Sequence, residues 1–374
     1  MSLAFASIEN VRCIEKAELD LHPGQNLIWG PNGSGKSSLL EAFFLLGRGR
    51  SFRTRNTERV IRHGQPQLVV FGRLTGSRER TIGVQAGRGS PTVGKIGGAF
   101  VQSLAELSQV FPVQIIDPGV HKLVEEGAPR RRRWMDWAVF HVEPSFVDTW
   151  SRYHRALRQR NAALRLQPEQ ALAWDSELIR LGEALAESRR HVIEQLQPYW
   201  RETVRALTGL EVHLLYSRGW ARDVTLADAL RNARARDVAR GMTHAGPHRG
   251  DIHLRLNGLP VREVASRGQQ KLIAVSLVLA QLRMLQGVFT ATPTLLLDDP
   301  AAELDPDRLT ALAGEVQRLR CQLIVTSLRA QSSPFRQAGP ALSAEAGSSR
   351  RAASGLFGVP DRVFHVEQGR VRPV

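Results

Sequence analysis

Eight consecutive residues, Gly30-Pro31-Asn32-Gly33-Ser34-Gly35-Lys36-Ser37, fit the pattern G-x-x-x-x-G-K-[ST]. Glycines in such a loop let backbone N–H groups converge on phosphate oxygens; Lys36 supplies a cation to the β- and γ-phosphates, and the Ser37 hydroxyl can ligate Mg²⁺. A chance glycine turn capping a helix needs no particular context. Here the apolar run Leu27-Ile28-Trp29 comes before the loop and the helical run beginning Ser38-Leu39-Leu40 follows it, so strand, loop and helix stand in the order that phosphate binding requires.

A second group of residues suits the same chemistry. Thr294-Leu295-Leu296-Leu297 reads as a buried strand, and it ends in Asp298-Asp299. Adjacent carboxylates at the end of a buried strand are costly unless a cation or a reacting water uses them. Read as a Walker B element, Asp298 holds Mg²⁺ through water and Asp299 polarises the attacking water. Read alone, the same residues are a strand followed by a helix-capping Asp. Ser266-Arg267-Gly268-Gln269 precedes the helical run Leu272 to Leu285, with Ser266 and Gln269 at capping-box spacing. That helix start, with Gly268 two residues in, is also a second anion site able to approach a γ-phosphate. One phosphate loop and one separate γ-phosphate binder suggest a nucleotide held between two chains.

The elements around these residues follow from periodicity. Ala17, Leu19 and Leu21 alternate with Glu18 and Asp20, as in a half-buried strand, and His22-Pro23-Gly24 turns into the run that meets the loop. Leu68 to Leu74 and Thr81 to Gln85 read as an antiparallel pair turned at Gly76-Ser77. From Phe146 to Trp200 the period is helical: Val147, Trp150, Tyr153, Leu157 and Leu164 form one stripe, Leu178, Leu181, Leu185, Val192, Leu196 and Tyr199 another, and Gln167-Pro168 breaks them into a hairpin. Ile252, Leu254 and Leu256 alternate before the hairpin signal Asn257-Gly258. Helices from Gln269 and Asp305 and strands at Gln322 to Thr326 and Val363 to Val366 complete an α/β pattern. Residues 331–359, rich in Ala, Gly, Ser and Pro, read as a flexible insertion.

Composition bounds the class. The 374 residues carry a net charge of +15 and are 42% apolar, enough for a core and for two or three compact units. No 18-residue apolar run exists, so no membrane helix is expected. Glu9, Glu15, Glu18 and Asp20 interrupt the place where a signal peptide has its apolar stretch, so a cytoplasmic protein is expected. Two cysteines, Cys13 and Cys321, make neither a disulfide framework nor a zinc site. The basic balance favours a polyanionic partner, although only five of the basic residues are lysine, an arginine bias that genome composition also produces. Arg130-Arg131-Arg132-Arg133 is the densest positive run and a candidate for DNA phosphates; a solvated helix face is the other reading. Arg50 and Arg53 are further candidates, for DNA or for nucleotide.

With these motifs in place the chain resembles the RecF family of bacterial recombinational DNA repair, an ABC-type ATPase family. The phosphate loop, Ser266-Arg267-Gly268-Gln269 as signature, Asp298-Asp299 as Walker B and Ala302-Glu303-Leu304-Asp305 as D-loop stand in the family's order. More specific are Gly49-Arg50-Ser51-Phe52-Arg53-Thr54 and the segment Gly241-Met242-Thr243-His244-Ala245-Gly246-Pro247-His248-Arg249-Gly250-Asp251. The resemblance implies an α/β fold, an ABC-type P-loop ATPase head with an antiparallel β subdomain and a helical second lobe. The expected division is residues 1–118 for the first part of the head, 119–205 for the helical arm and 206–374 for the second part of the head. It also implies ATP and Mg²⁺ as cofactors, ATP-dependent homodimerisation, binding of single- and double-stranded DNA at gap junctions with slow hydrolysis, and work with RecR and RecO to help RecA. Two departures stand out: Gly119 where the family carries an acidic residue after Asp117-Pro118, and the insertion that follows Val325-Thr326-Ser327. Gln114 reads either as a Mg²⁺- or water-sensing glutamine or as an ordinary strand-edge residue.

Other classes fit less well. A transporter's nucleotide-binding subunit needs neither the charge nor so large a helical lobe, and a chromosome clamp needs sustained heptads and a C-x-x-C hook that Phe146 to Trp200 lacks. A clamp that binds ATP without turnover stays open, because Asp299 is shorter than the glutamate common at that position in ABC heads.

Overall fold

The computed structural model describes residues 2–76, 79–289, 291–302, 304–328 and 360–374; Ser77, Glu303 and the segment 331–359 lie outside the described residues. In chain order, β1 (Ser2–Val11), β2 (Ile14–Asp20) and β3 (Gln25–Trp29) lead into α1 (Lys36–Arg48). Next come β4 (Gln67–Thr75), β5 (Arg80–Gly87), β6 (Val93–Ile96), β7 (Ala99–Phe100), α2 (Ala105–Val110) and β8 (Val113–Ile116). The middle of the chain holds α3 (Lys122–Glu125), α4 (Ala128–Val142), α5 (Phe146–Leu166), α6 (Asp175–Thr208), β9 (Val212–Ser217) and α7 (Leu226–Arg240). It continues with β10 (Asp251–Leu256), β11 (Leu259–Pro260), α8 (Val261–Val264) and α9 (Arg267–Leu285). Last come β12 (Thr294–Leu297), α10 (Pro306–Gln317), β13 (Gln322–Ser327), β14 (Arg362–Glu367) and β15 (Arg370–Pro373).

These elements fall into two units, Met1–Val120 with Phe289–Val374, and His121–Val288. The division differs from the expected one in a single large piece: residues 206–288, signature included, group with the helical arm. The tie is α9, which packs along α6 more extensively than any other helix pair does.

The first unit has two six-stranded sheets. One is antiparallel, in the order β2-β1-β4-β5-β6-β7; the other is mixed, β15-β14-β3-β13-β12-β8, with β14, β3, β13, β12 and β8 running parallel. Helix α1 is buried on every side from Ser38 to Gly47, and all but Ser38 and Glu41 of those residues are apolar or glycine, as suits a helix covered on both flanks. Leu39, Leu40, Phe43, Leu45 and Leu46 share one core with Leu3, Ile8, Val70 and Ile82 of the antiparallel sheet and with Leu296, Ile324 and Phe364 of the mixed sheet. Burying α1 in this way fixes the loop at its N-terminus.

The second unit is helical, with the small sheet β11-β10-β9 at its side. Its interior holds charge. Arg160, 2% exposed, donates to Asp175 at 2.6 Å, to the fully buried Asp237 at 2.8 Å and to Thr243 Oγ1 at 2.9 Å. Arg189, equally buried, pairs with both oxygens of Asp136 and donates to the Pro247 carbonyl. Buried guanidinium groups of this kind are tolerated because every partner is present, and removing one partner leaves a buried charge uncompensated. The family-specific segment 241–251 is therefore a scaffold: His244 bonds Asp237, and His248 lies between Tyr153 OH at 2.7 Å and the Thr243 carbonyl at 3.0 Å.

That geometry assigns the His248 tautomer. The carbonyl requires a proton on Nε2, so Nδ1 accepts from Tyr153. Burial pushes the His248 pKa down to about 4 from 6.5, and burial lowers His154 as well. A folded-state pKa below the unfolded one means that the unfolded chain takes up protons first as pH falls, so stability is full above 6.5 and declines from there towards pH 4. For His248 the loss approaches about 3 kcal/mol at the acid end. The melting temperature is expected to drop over this window, and His248→Gln, which does not titrate, to flatten the drop.

Candidate functional site

Two glycines give the phosphate loop its path. At Gly35, φ is 116° and a β-carbon would lie 3.1 Å from Cys13 Sγ; at Gly30 a β-carbon would lie 2.1 Å from the Val366 carbonyl oxygen. Only glycine fits either place. The second contact comes from the C-terminal hairpin β14-β15, whose turn residue Gly369 donates its N–H to the Ser34 carbonyl at 2.8 Å. Periodicity does not reveal that support. Lys36 Nζ donates to the Gly30 and Pro31 carbonyls at 2.6 and 2.9 Å, and Pro31, Asn32 and Gly33 are exposed at the tip while Ser34, Lys36 and Ser38 are buried. Burial lowers the Lys36 pKa, opposed by the charges of Asp299 and Asp298.

Those acids arrive from β12. In a parallel sheet the loops at the carboxyl ends of strands share one edge, where ligands of α/β folds bind. The loop after β3 and the acids after β12 flank β13, which pairs with both strands. Ser37 Oγ donates to Asp298 Oδ1 at 2.9 Å across 261 residues of sequence. Thr326, at the end of β13, donates to the same oxygen at 2.9 Å and accepts the Asp299 N–H at 2.9 Å. Asp299 has φ +46°, a left-handed backbone. The sequence placed Thr326 only at a strand end ahead of the insertion; the signal for more was a pair of hydroxyls, Thr326-Ser327, closing the apolar run Leu323-Ile324-Val325 of a fully buried strand.

A hydroxyl and a carboxylate oxygen at this spacing are hard oxygen donors of the kind Mg²⁺ takes, with phosphate and water completing its shell. Among the described residues no group of three His, Cys, Asp or Glu side chains is placed to hold a metal, so Ser37 and Asp298 fit a cation shared with a bound phosphate rather than a protein cage.

Ser266 caps α9 through a complete capping box: its Oγ accepts the Gln269 N–H at 3.3 Å, and Gln269 Oε1 accepts the Ser266 N–H at 2.9 Å. Ser266 and Gly268 are exposed, and nothing lies within 4 Å of where a β-carbon of Gly268 would be. The segment thus presents an open helix start on the second unit. In the first unit Asp305 caps α10, accepting the Arg308 N–H at 3.0 Å.

Other expectations change. Of the four arginines on α4, Arg131 grips both oxygens of Asp251 at 2.8 Å and Arg132 donates to the Gly250 carbonyl at 2.8 Å. Arg130 pairs with Glu126, and Arg133 stays exposed. The expectation of a run facing DNA is corrected for Arg131, whose Nε and both Nη atoms are engaged within the protein, while Arg132 is tied to the scaffold segment by one bond. Gln114 lies inside β8, opposite Leu295 and three positions short of Asp298, on the edge strand of the sheet; the strand-edge reading holds. In the segment after α1, Ser51 bonds the fully buried Glu41, which Arg12 also holds in a two-point pair at 2.9 Å. Arg53 lies 3.8 Å from the same carboxylate.

Known proteins resemble the chain over its length. The family described as RecF/RecN/SMC N terminal domain matches residues 3–339. DNA replication and repair protein RecF of Pseudomonas syringae pv. tomato is 37% identical over 99% of this chain and 98% of its own length. That of Shewanella baltica is 36% identical over 99% of both. A solved structure of the recombination mediator protein RecF-ATPrS in the RecFOR pathway covers the whole chain and 98% of its own, with TM-score 0.82 and 25% identity. An Smc head bound to the C-winged helix domain of ScpA, with TM-score 0.56 and 15% identity, shares the fold alone. Full-length similarity of this kind sets aside the transporter reading, and the chain belongs to the RecF family.

Proposed function

We propose that the chain is an ATP-dependent DNA-binding protein of recombinational repair, a slow ATPase that closes as a homodimer on ATP. The observation that carries this reading is the Ser37–Asp298 bond, which brings phosphate loop and acidic strand end together in a chain of the RecF family. Residues Gly30 to Ser38 would hold the triphosphate, with Lys36 on its β- and γ-phosphates. Ser37 and Asp298 would hold Mg²⁺, whose charge neutralises the phosphates, and Asp299 would orient the attacking water. Ser266, Gly268 and Gln269 of a second chain would face the γ-phosphate, with Asp305 beside the dimer contact. A RecF solved with ATP, whose TM-score to this chain is 0.84, supports the nucleotide. Stimulation of hydrolysis by DNA, action at single-strand gaps with RecR, RecO and RecA, and a cytoplasmic location follow from the same family reading; no helix among the described residues is long and apolar enough to cross a membrane.

DNA would be engaged by arginines that the scaffold does not use. Arg155 and Arg158 of α5 and Arg234, Arg236 and Arg240 of α7 are exposed on helices that pack together. Affinity for two unrelated duplexes, measured with ATP over a salt series, is expected to fall equally and steeply, each phosphate contact contributing about −0.9 to the logarithmic slope. Alanine at Arg234, Arg236 and Arg240 should lower the slope by about one per lost contact. A flat slope, or strong preference for one sequence, overturns the reading. Sedimentation with and without ATP and gapped DNA tests dimerisation directly.

A further inference from the structure

We infer that Thr326 is the positioning residue of the acidic pair: its one hydroxyl orients the Asp298 carboxylate and fixes the Asp299 backbone. The inference rests on the nucleotide-site reading above and adds a residue to it. Thr326 is fully buried at the end of β13, the strand between the phosphate-loop strand and the acidic strand. A hydroxyl has one proton and two lone pairs. Of its two acceptors, Asp298 Oδ1 at 2.9 Å is charged and close, while the Leu297 carbonyl stands at 3.4 Å, so the proton goes to the carboxylate. The oxygen then accepts the Asp299 N–H at 2.9 Å.

The second contact matters because Asp299 has a left-handed backbone, with φ +46°. Non-glycine residues reach that region at a cost, and aspartate and asparagine reach it most readily. This accounts for a short acid at a position where a longer one is common: the chain turns sharply there, and Thr326 holds the turn. Asp298 Oδ1 also accepts from Ser37, but Ser37 has a second task in the proposed site. Thr326 has none, so its hydroxyl stays on the carboxylate while Ser37 turns to the cation.

The test compares Thr326→Val, which keeps the shape and removes both bonds, with Thr326→Ser, which keeps the hydroxyl. Binding of a fluorescent ADP is measured with EDTA and with Mg²⁺, alongside thermal melting. With EDTA all three proteins should bind alike. The gain in affinity on adding Mg²⁺ should shrink about tenfold in T326V and persist in T326S, and in T326V alone KM for ATP with Mg²⁺ should rise to match while kcat falls. Equal Mg²⁺ gains in parent and T326V overturn the proposal, as does a loss in T326S matching that in T326V. Should valine destabilise the fold, Thr326→Ala replaces it, and the serine variant still decides whether the hydroxyl suffices. A parent protein with no Mg²⁺-dependent binding would instead defeat the site reading and leave the role of Thr326 in the fold to the melting data.

Discussion

Replacing Lys36 with alanine is expected to abolish nucleotide binding, whereas Ser266→Arg is expected to leave binding intact and block dimerisation or turnover. The two side chains belong to different halves of one proposed site. Lys36 lies under the phosphate loop, and its charge has no substitute among the loop's other residues. Ser266 lies at the exposed start of α9, where an added guanidinium would fill the open face beside Gly268. Neither variant alone should hydrolyse ATP. In a mixed dimer one site carries both defects and the other carries neither. Random pairing then restores at most about a quarter of the parental rate, if one intact site suffices. Were each chain to complete its own site, no mixture could recover activity. A titration that stays at baseline, with heterodimers shown to form by sedimentation, would falsify the shared site.

What the sequence made legible was local. The phosphate loop, the capping box at Ser266 and the cap at Asp305 depend on a few neighbouring residues, and all of them form. The hairpin of α5 and α6 was legible from its stripes and its break at Gln167-Pro168, although Trp200, fully buried, replaces Tyr199 as the inward aromatic. Strand β1 left no alternating trace because a register shift between Leu3 and Phe5 breaks it: Leu3, Ala6 and Ile8 are buried, so the period skips. Long-range pairing was hidden altogether. Arg131 finds Asp251 across 120 residues, and nothing in a run of four arginines singles out the one that will make that pair. The same limit moved residues 206–288 into the helical unit, because the packing of α9 on α6 is a contact between faces rather than a pattern along the chain.

Asp299→Asn is expected to keep ATP bound while slowing hydrolysis by about 10²- to 10⁴-fold, the usual contribution of a positioned base. The substitution is a clean one for a structural reason. Asparagine tolerates the left-handed backbone as well as aspartate does, so the turn at φ +46° and the N–H bond to Thr326 should both survive. Asp298 keeps its two hydroxyl donors and with them its proposed place beside the cation. What is lost is the charge that takes up a proton from water. With ATP the variant should therefore accumulate as a dimer that sediments as such and persists, whereas the parent returns to monomer as ATP is consumed. Asp299→Glu makes the complementary test: it keeps the charge but puts a longer side chain on a backbone that glutamate adopts less readily. If the geometry of the turn matters as well as the charge, it too should hydrolyse slowly. Parental rates in the asparagine variant would move the role of base to Glu303 or another residue, and loss of ATP binding would move Asp299 from the water to the metal.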